Sequence, residues 1–403
     1  MQASRTFQGA ATGRLFAGLF ILAPFATAAL VACGGGGTGA TSAGAGTQSV
    51  VEGTIMGLGS VFVNGIEYDT STAAVTDELG NAQSQDALKL GMHVELVGSD
   101  PSTSGGEGRA GTVVFTSDLE GAVTAIDGAN GSFTVLAQDV DTNANTVWAL
   151  GTQGGMNALT VGAVVKVYSL YDGATGHYVA SRVEADPTAT TYKIRGTVSN
   201  LDTTTKTYSV GNLPIDYSGV TSPPAALADG VIATAELQTT EGPTAWMATG
   251  VQLRNHGLPG NKVNIHVRGL IATEASPTQF TLDGWPVEAT GANFPSGQSV
   301  IVAGASVQVD GIMDNGVLVA TNVDLQQAGS HGGLDFQVHG PIQSIDTTAQ
   351  TFVLRGTTVS YAGSVTYTGG DASSLGLGTK VLVQGTLSGD GSTVQAATIA
   401  IGQ

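Results

Sequence analysis

Apolar and polar residues alternate with a period of two along most of the chain, in short runs bounded by Gly, Asn, Asp and Thr. That period marks half-buried strands, and no long stretch carries the apolar stripe of an amphipathic helix. One strand-like phrase with a central glycine recurs: Val51-Glu52-Gly53-Thr54-Ile55, Leu119-Glu120-Gly121-Ala122-Val123, Ile194-Arg195-Gly196-Thr197-Val198, Val267-Arg268-Gly269-Leu270-Ile271 and Val338-His339-Gly340-Pro341-Ile342. The glycines are spaced by 68, 75, 73 and 71 residues. A period of this size predicts repeated modules, each marginal alone and helped by packing on its neighbours.

The copies agree beyond the first phrase. A turn follows it, carrying Ile126-Asp127, Leu201-Asp202 and Ile345-Asp346 in three copies, and these acids suit caps on their own backbone. An aromatic residue then opens a second strand (Phe62, Phe133, Tyr208, Phe280, Phe352), and a third extended stretch comes next. A short loop or helical turn ends in an apolar residue, two residues and Gly, read as Leu88–Gly91, Leu159–Gly162, Leu227–Gly230, Phe294–Gly297 and Leu375–Gly378. Beyond that glycine, alternate positions are apolar: Val94/Leu96, Val165/Val167, Ala233/Ala235, Val300/Val302 and Val381/Val383. A last strand closes each unit.

Strand, strand, strand, short helical turn, strand, strand is the element order of an OB-type barrel. The expected fold is therefore all-β: a tandem array of small OB-like five-stranded barrels, although a sandwich of short hairpins shares the order. The glycine inside the first strand suits the bend or bulge that such a barrel needs. The modules are expected at residues 50–118, 119–190, 191–257, 262–327 and 334–403, with polar linkers at His256–Lys262 and Gln326–Gly333.

The N-terminus has a different pattern. Arg5 and Arg14 precede an apolar run from Leu15 to Val31, then Ala32, Cys33 and Gly34–Gly37. This is the order of a secretory signal peptide, and its end is similar to a bacterial lipobox, in which the cysteine is lipidated and becomes the new N-terminus. A run of seventeen residues containing Pro24 is short of the roughly 20 that span a bilayer. The expectation is a lipoprotein signal peptide over 1–32, a lipid at Cys33 as the covalent anchor, and a Gly/Ala/Ser/Thr tether over 33–49. Gly34 stands where the lipobox resemblance would put Asp for inner-membrane retention, which points to the outer membrane. The lipobox, the phrase Gly59-Ser60-Val61-Phe62-Val63-Asn64-Gly65-Ile66-Glu67-Tyr68-Asp69-Thr70 and the Leu-x-x-Gly-x-x-Val-x-Val strand together resemble a bacterial lipoprotein family built on tandem repeats of the domain of unknown function 5666. The resemblance spans about residues 51–403 and is best in copies one, two and five, with copies three and four divergent. It implies a lipid-anchored array of small β modules and brings no assigned activity.

Composition narrows the chemistry. With 14 Lys+Arg against 32 Asp+Glu the net charge is −18, and the cations are scattered, so nucleic acid is not an expected partner. A single cysteine excludes internal disulfides and cysteine-based zinc sites. The six histidines (93, 177, 256, 266, 331, 339) show no helical metal-ligand spacing, and there is no nucleophile elbow, P-loop or dinucleotide fingerprint. The best metal candidate is the alternation Asp139, Asp141, Asn143, Asn145, whose hard oxygens suit Ca²⁺; Ala144 and Leu150 stand where an EF-hand has its Gly and Glu. Trp285, in Asp283-Gly284-Trp285-Pro286 at an expected hairpin tip, is the candidate for ligand stacking. These features favour a non-enzymatic envelope protein without a dissociable cofactor, bound to the membrane by its lipid and acting in interaction or scaffolding. Envelope proteins or glycans are its expected partners, and a glycan- or calcium-binding module array is the alternative.

Overall fold

The computed structural model describes residues 48–100, 107–151, 154–254, 261–326 and 336–402. Cys33, the signal segment and nearly all of the tether lie outside the described residues. So do His256 and His331.

The first repeat folds as β1 (Gln48–Leu58), β2 (Val61–Val63), β3 (Ile66–Asp69), β4 (Ala74–Asp77), β5 (Ala82–Gln83), β6 (His93–Ser99) and β7 (Glu107–Thr116). β1, β2 and β3 form an antiparallel meander, β3 pairs in parallel with β7, and β6 closes the ring between β7 and β1. Ring order first, second, third, fifth, fourth and back to first is that of an OB barrel. The small hairpin β4–β5 hangs on β7. Asn64 and Gly65, with φ of 55° and 81°, make the tight turn between β2 and β3, a conformation that Asn and Gly enter most readily.

The ring recurs in β8 (Leu119–Asp127), β9 (Ser132–Val135), β10 (Gln138–Asp141), β11 (Val147–Ala149), β12 (Val164–Asp172) and β13 (His177–Ala185). It recurs again in β14 (Tyr192–Asp202), β15 (Thr207–Val210), β16 (Leu213–Asp216), β17 (Ile232–Leu237) and β18 (Trp246–Leu253). Next come β19 (Asn264–Ser276), β20 (Gln279–Leu282), β21 (Trp285–Glu288), β22 (Ser306–Asp314) and β23 (Val317–Leu325). The last is β24 (Phe336–Pro341), β25 (Ser344–Asp346), β26 (Thr351–Leu354), β27 (Thr357–Ser360), β28 (Thr366–Thr368), β29 (Lys380–Leu387) and β30 (Val394–Ile401), in which the first strand is interrupted at Ile342 and Gln343, just after Pro341. Each has the parallel pairing of third and last strand that closes the barrel. The barrel, not the sandwich, is the fold.

Three expectations need correction. The repeated glycine is not itself the bulge. The pairing register shifts just beyond it, between Ile55 and Gly57, Val123 and Ala125, Ser199 and Asp202, and Ile271 and Thr273. The glycine provides clearance instead: a Cβ on Gly196 would lie 2.5 Å from Val210 Cγ1 and 2.6 Å from the Tyr178 hydroxyl, and one on Gly53 only 2.2 Å from Asn64 Oδ1.

In the fourth repeat the glycine motif is Ile301–Gly304, not Phe294–Gly297. Gly304 N donates to Ile271 O at 2.9 Å, as Gly91 does to Ile55, Gly162 to Val123, Gly230 to Val198 and Gly378 to Ile342. Val307 and Val309 fill the core, while Val302 is 48% exposed. Two glycines seven residues apart compete locally, and the chain uses the one that follows the 3-10 turn Gln298–Val300 and the buried Ile301.

Finally, the rings do not pack only on sequence neighbours. β1 runs parallel to β19 (Ser49–Glu52 opposite Asn264–Val267) and, further on, to β24 (Gly57 and Leu58 opposite Gln337 and Val338). β8 and β14 pair across the border of the second and third rings. The apolar interior follows these contacts: one cluster joins the first and fifth rings, a second joins the second and third, and Val50 of β1 enters the fourth ring's core.

Candidate functional site

Strand one of every ring carries an ionisable residue just before the repeated glycine: Glu52, Glu120, Arg195, Arg268 and His339. With period-two geometry, flanking residues such as Val51, Leu119 and Ile194 point into a barrel, so the residue before the glycine points out of it. In the assembled chain, outward means toward another ring. Glu52 (β1), His93 (β6), Arg195 (β14), Arg254 just after β18, and Asp283 at the β20–β21 turn meet where the first, third and fourth rings converge.

The geometry is an interlocked set of charges. His93 Nε2 lies 2.9 Å from Glu52 Oε1 and 3.1 Å from Asp283 Oδ2. Arg254 bridges the same two carboxylates, donating to Glu52 Oε1 and, at 3.1 Å, to Asp283 Oδ2. Glu95 stands 3.8 Å from Arg254. Arg195 donates to Asp283 Oδ1 at 3.1 Å and to Asp118 Oδ1 at 2.7 Å. Asp118, on the connection between the first two rings, also accepts from the Ser169 backbone and hydroxyl at 2.9 and 2.8 Å. The Trp285 indole donates to Glu52 Oε2. Four carboxyl groups, on Glu52, Glu95, Asp118 and Asp283, thus face the three cationic side chains of His93, Arg195 and Arg254.

Local structure aims the groups. Asp283 and Gly284 have φ of 41° and 82°, so the two-residue turn presents the Asp283 carboxylate at its apex. A Cβ on Gly284 would come within 2.7 Å of Ile232 of the third ring, which shows how closely that turn is covered. Burial pulls the His93 imidazole down, but its hydrogen bonds to Asp283 and Glu52 outweigh this and push it up to about 10. Burial also raises Asp283, yet Arg254 and the neighbouring hydrogen bonds hold its carboxyl well below the usual range. Asp118 is pushed up to about 7, chiefly by burial and then by the Asp283 charge.

Two clefts flank the β4–β5 hairpin. One, of about 360 Å³, is walled by Glu52, His93, Glu95, Arg195 and Arg254. The other, of about 340 Å³, has Glu120, Lys166, Tyr168, Lys193 and Glu236 in its wall. Between them Lys193, opposite Glu120 in the β8–β14 pairing, reaches Glu78 of the hairpin. Burial pushes Lys193 down to about 8. Glu52, His93 and Asp283 are the one group among the described residues with three donor atoms close enough for a metal ion. The Arg254 guanidinium already bonds both carboxylates, so a cation there would have to displace it.

The residues singled out from sequence fall elsewhere. Asp139 and Asp141 share the outer face of β10 beside His177, whose Nδ1 is 2.9 Å from Asp141 Oδ2 and whose Nε2 is 3.8 Å from Asp139 Oδ2. The strand ends at Asp141, and the Asn143 side chain accepts from the Asn145 backbone at 2.8 Å, so the four do not continue along one face. Trp285 is 1% exposed, not displayed at a tip: the fourth ring's hairpin is covered by its neighbours, and the indole is spent on Glu52. The turn acids do cap their own backbone, Asp202 accepting from Thr204 and Thr205 and Asp346 from Thr348 and Ala349.

The ionic junction was missed in the sequence because its members are spread from residue 52 to residue 283. Its one local signal is the ionisable residue before each repeated glycine. Among the described residues no helix is long and apolar enough to cross a membrane.

No curated protein sequence matches the chain. A solved structure, drosophila Unr CSD456, is similar over 53% of this chain and 98% of that chain, with 12% identity and a TM-score of 0.15. Residues 120–184, 268–324 and 339–400 match a family model described as domain of unknown function (DUF5666). The second match spans the fourth repeat, which the sequence reads as divergent for want of the Ile-Asp turn, whereas the first repeat, read as among the best copies, lies outside the three matches. Three segments of this chain therefore match the DUF5666 domain, consistent with tandem repeats of it, and each folds as an OB-like barrel.

Proposed function

We propose that the chain is a non-enzymatic, lipid-anchored envelope protein whose barrels act together as a rigid interaction platform. One observation carries this reading: the convergent ionisable groups are matched to one another across ring borders, and so serve to hold the rings in register. Catalytic constellations instead leave a proton, nucleophile or cation aimed at a space for substrate. The strand pairings of β1 with β19 and β24 act in the same direction, since parallel ladders fix orientation as well as contact. Cys33, followed by the Gly-rich tether, would set such a platform off the bilayer. Cys33→Ala is expected to abolish fatty-acid labelling and to move the protein from the membrane fraction to the soluble envelope fraction. Unchanged labelling and partitioning would refute the anchor.

The rival reading, a calcium- or glycan-binding array, makes a different prediction. A ligand at 100 times its Kd adds about 2.7 kcal/mol to stability. On the platform reading, Ca²⁺ leaves the urea midpoint of the wild type and of Asp139→Asn/Asp141→Asn the same. A calcium-dependent rise in the wild type that the double variant lacks would favour the metal site instead.

A further inference from the structure

The short tip before each motif glycine has one geometry and two fates. In the first ring the tip residue Leu90 is 1% exposed, because the tip is docked on the second ring. Arg182 donates to Leu90 O at 3.0 Å and the Ser181 hydroxyl to Gly91 O at 2.7 Å. Val147 and Tyr168 of the second ring join the apolar cluster that holds Leu88, Leu90 and Met92. In the fifth ring the matching tip is Leu375-Gly376-Leu377-Gly378. Gly378 is anchored to Ile342 O just as Gly91 is to Ile55 O, yet Leu377 is 74% exposed.

The chain thus shows what this kind of tip packs against: the edge where the strand after the third (β11) pairs in parallel with the last strand (β13), with Val147 opposite Arg182. The same pairing in the first ring sets Ala74 opposite Thr112, with Gly111 beside it, and all three are exposed. A Cβ on Gly111 would meet nothing nearer than Val97 O at 3.4 Å, so the shelf is open. The fifth ring's own version is less available: Ala397 and Thr398 are half-buried, and the Thr398 hydroxyl bonds Gln384 at 3.3 Å.

We propose that Leu377 is the contact of a self-association surface, in which the fifth ring's tip docks on the Ala74–Gly111–Thr112 shelf of a second copy of this chain. The Thr112 hydroxyl takes the donor role toward the tip carbonyls that Ser181 and Arg182 take inside the chain. A C-terminal ring that meets an N-terminal ring is a head-to-tail contact, which closes on itself if the rotation permits and otherwise leaves a free tip and a free shelf at the two ends.

Sedimentation velocity of the purified full chain in detergent tests this. The wild type should form larger species as concentration rises, and Leu377→Asp and Thr112→Glu, whose carboxylate would face the tip carbonyls without a donor, should each remain monomeric. Both changes are on exposed positions, and retained far-UV circular dichroism checks the fold. Val161→Asp, at the matching but shorter and 65% exposed position of the second ring, should associate like the wild type. In a Cys33→Ala background, Leu377→Cys and Thr112→Cys proteins should give a disulfide-linked dimer when mixed under oxidation, and neither should do so alone. A wild type that stays monomeric at every concentration, association unaffected by Leu377→Asp, or no mixed dimer would overturn the proposal.

Discussion

Arg254→Met is expected to destabilise the folded chain by about 3–5 kcal/mol, read as a lowered urea midpoint, because it leaves Glu52 and Asp283 buried against each other without their shared cation. Exposed ion pairs are worth only about 0–1 kcal/mol, so the Lys262–Asp314 pair, whose lysine is 65% exposed, supplies the contrast: Lys262→Met should cost little. Adding Glu52→Gln and Asp283→Asn to Arg254→Met should recover most of the loss. Neutral amides leave no carboxylate without its cation, and a buried His93 that has lost both carboxylates sheds its proton, although the ionic hydrogen bonds are forfeited. If Arg254→Met behaved like Lys262→Met, the charge junction would not be what holds the first, third and fourth rings together.

Raising the pH should open the same junction. His93 holds its proton up to about pH 10 in the folded chain, whereas an unfolded histidine releases it near 6.5. Its contribution is therefore complete below about pH 6.5 and is lost as pH climbs through about 10. Asp118 acts in the same sense at lower pH: its stabilising protonated state is lost as pH rises through about 7. Lys193, pushed down to about 8, acts in the opposite sense, since the unfolded chain binds its proton more tightly. The clean measurement is the difference in urea midpoint between wild type and His93→Gln. That difference should be largest at about pH 6.5 and below and shrink toward pH 10; parallel curves would remove His93 from the titrating set.

Much of the barrel was legible from local pattern, because a strand that faces a core on one side writes its period into the sequence. The phrase around Gly53 and its counterparts, the Asn64-Gly65 turn and the capping acids Asp202 and Asp346 are all short-range features, and each lies where that pattern puts it. The failures share one cause, which is that covering by a distant ring leaves no local trace. Trp285 follows a turn that reads as an exposed tip, and only the assembled rings show it buried over Glu52. The fourth repeat offered two glycines with an apolar residue three positions ahead. Sequence spacing does not tell which one reaches the Ile271 carbonyl. The junction itself pairs residues up to 231 positions apart, Glu52 with Asp283, and each looks like an ordinary surface charge until the strands close.

The order in which the chain becomes available matters for β1. Its ladder partners at Asn264–Val267 and Gln337–Val338 lie more than two hundred residues downstream. A polypeptide that emerges from its N-terminus therefore exposes two stretches of unpaired strand edge until nearly all of it has been delivered. Contacts of such long sequence separation form slowly, and bare edges invite the wrong partner. The segment made first is thus finished last, and its acquisition of a native surface is a timing problem that the other barrels do not share to the same degree.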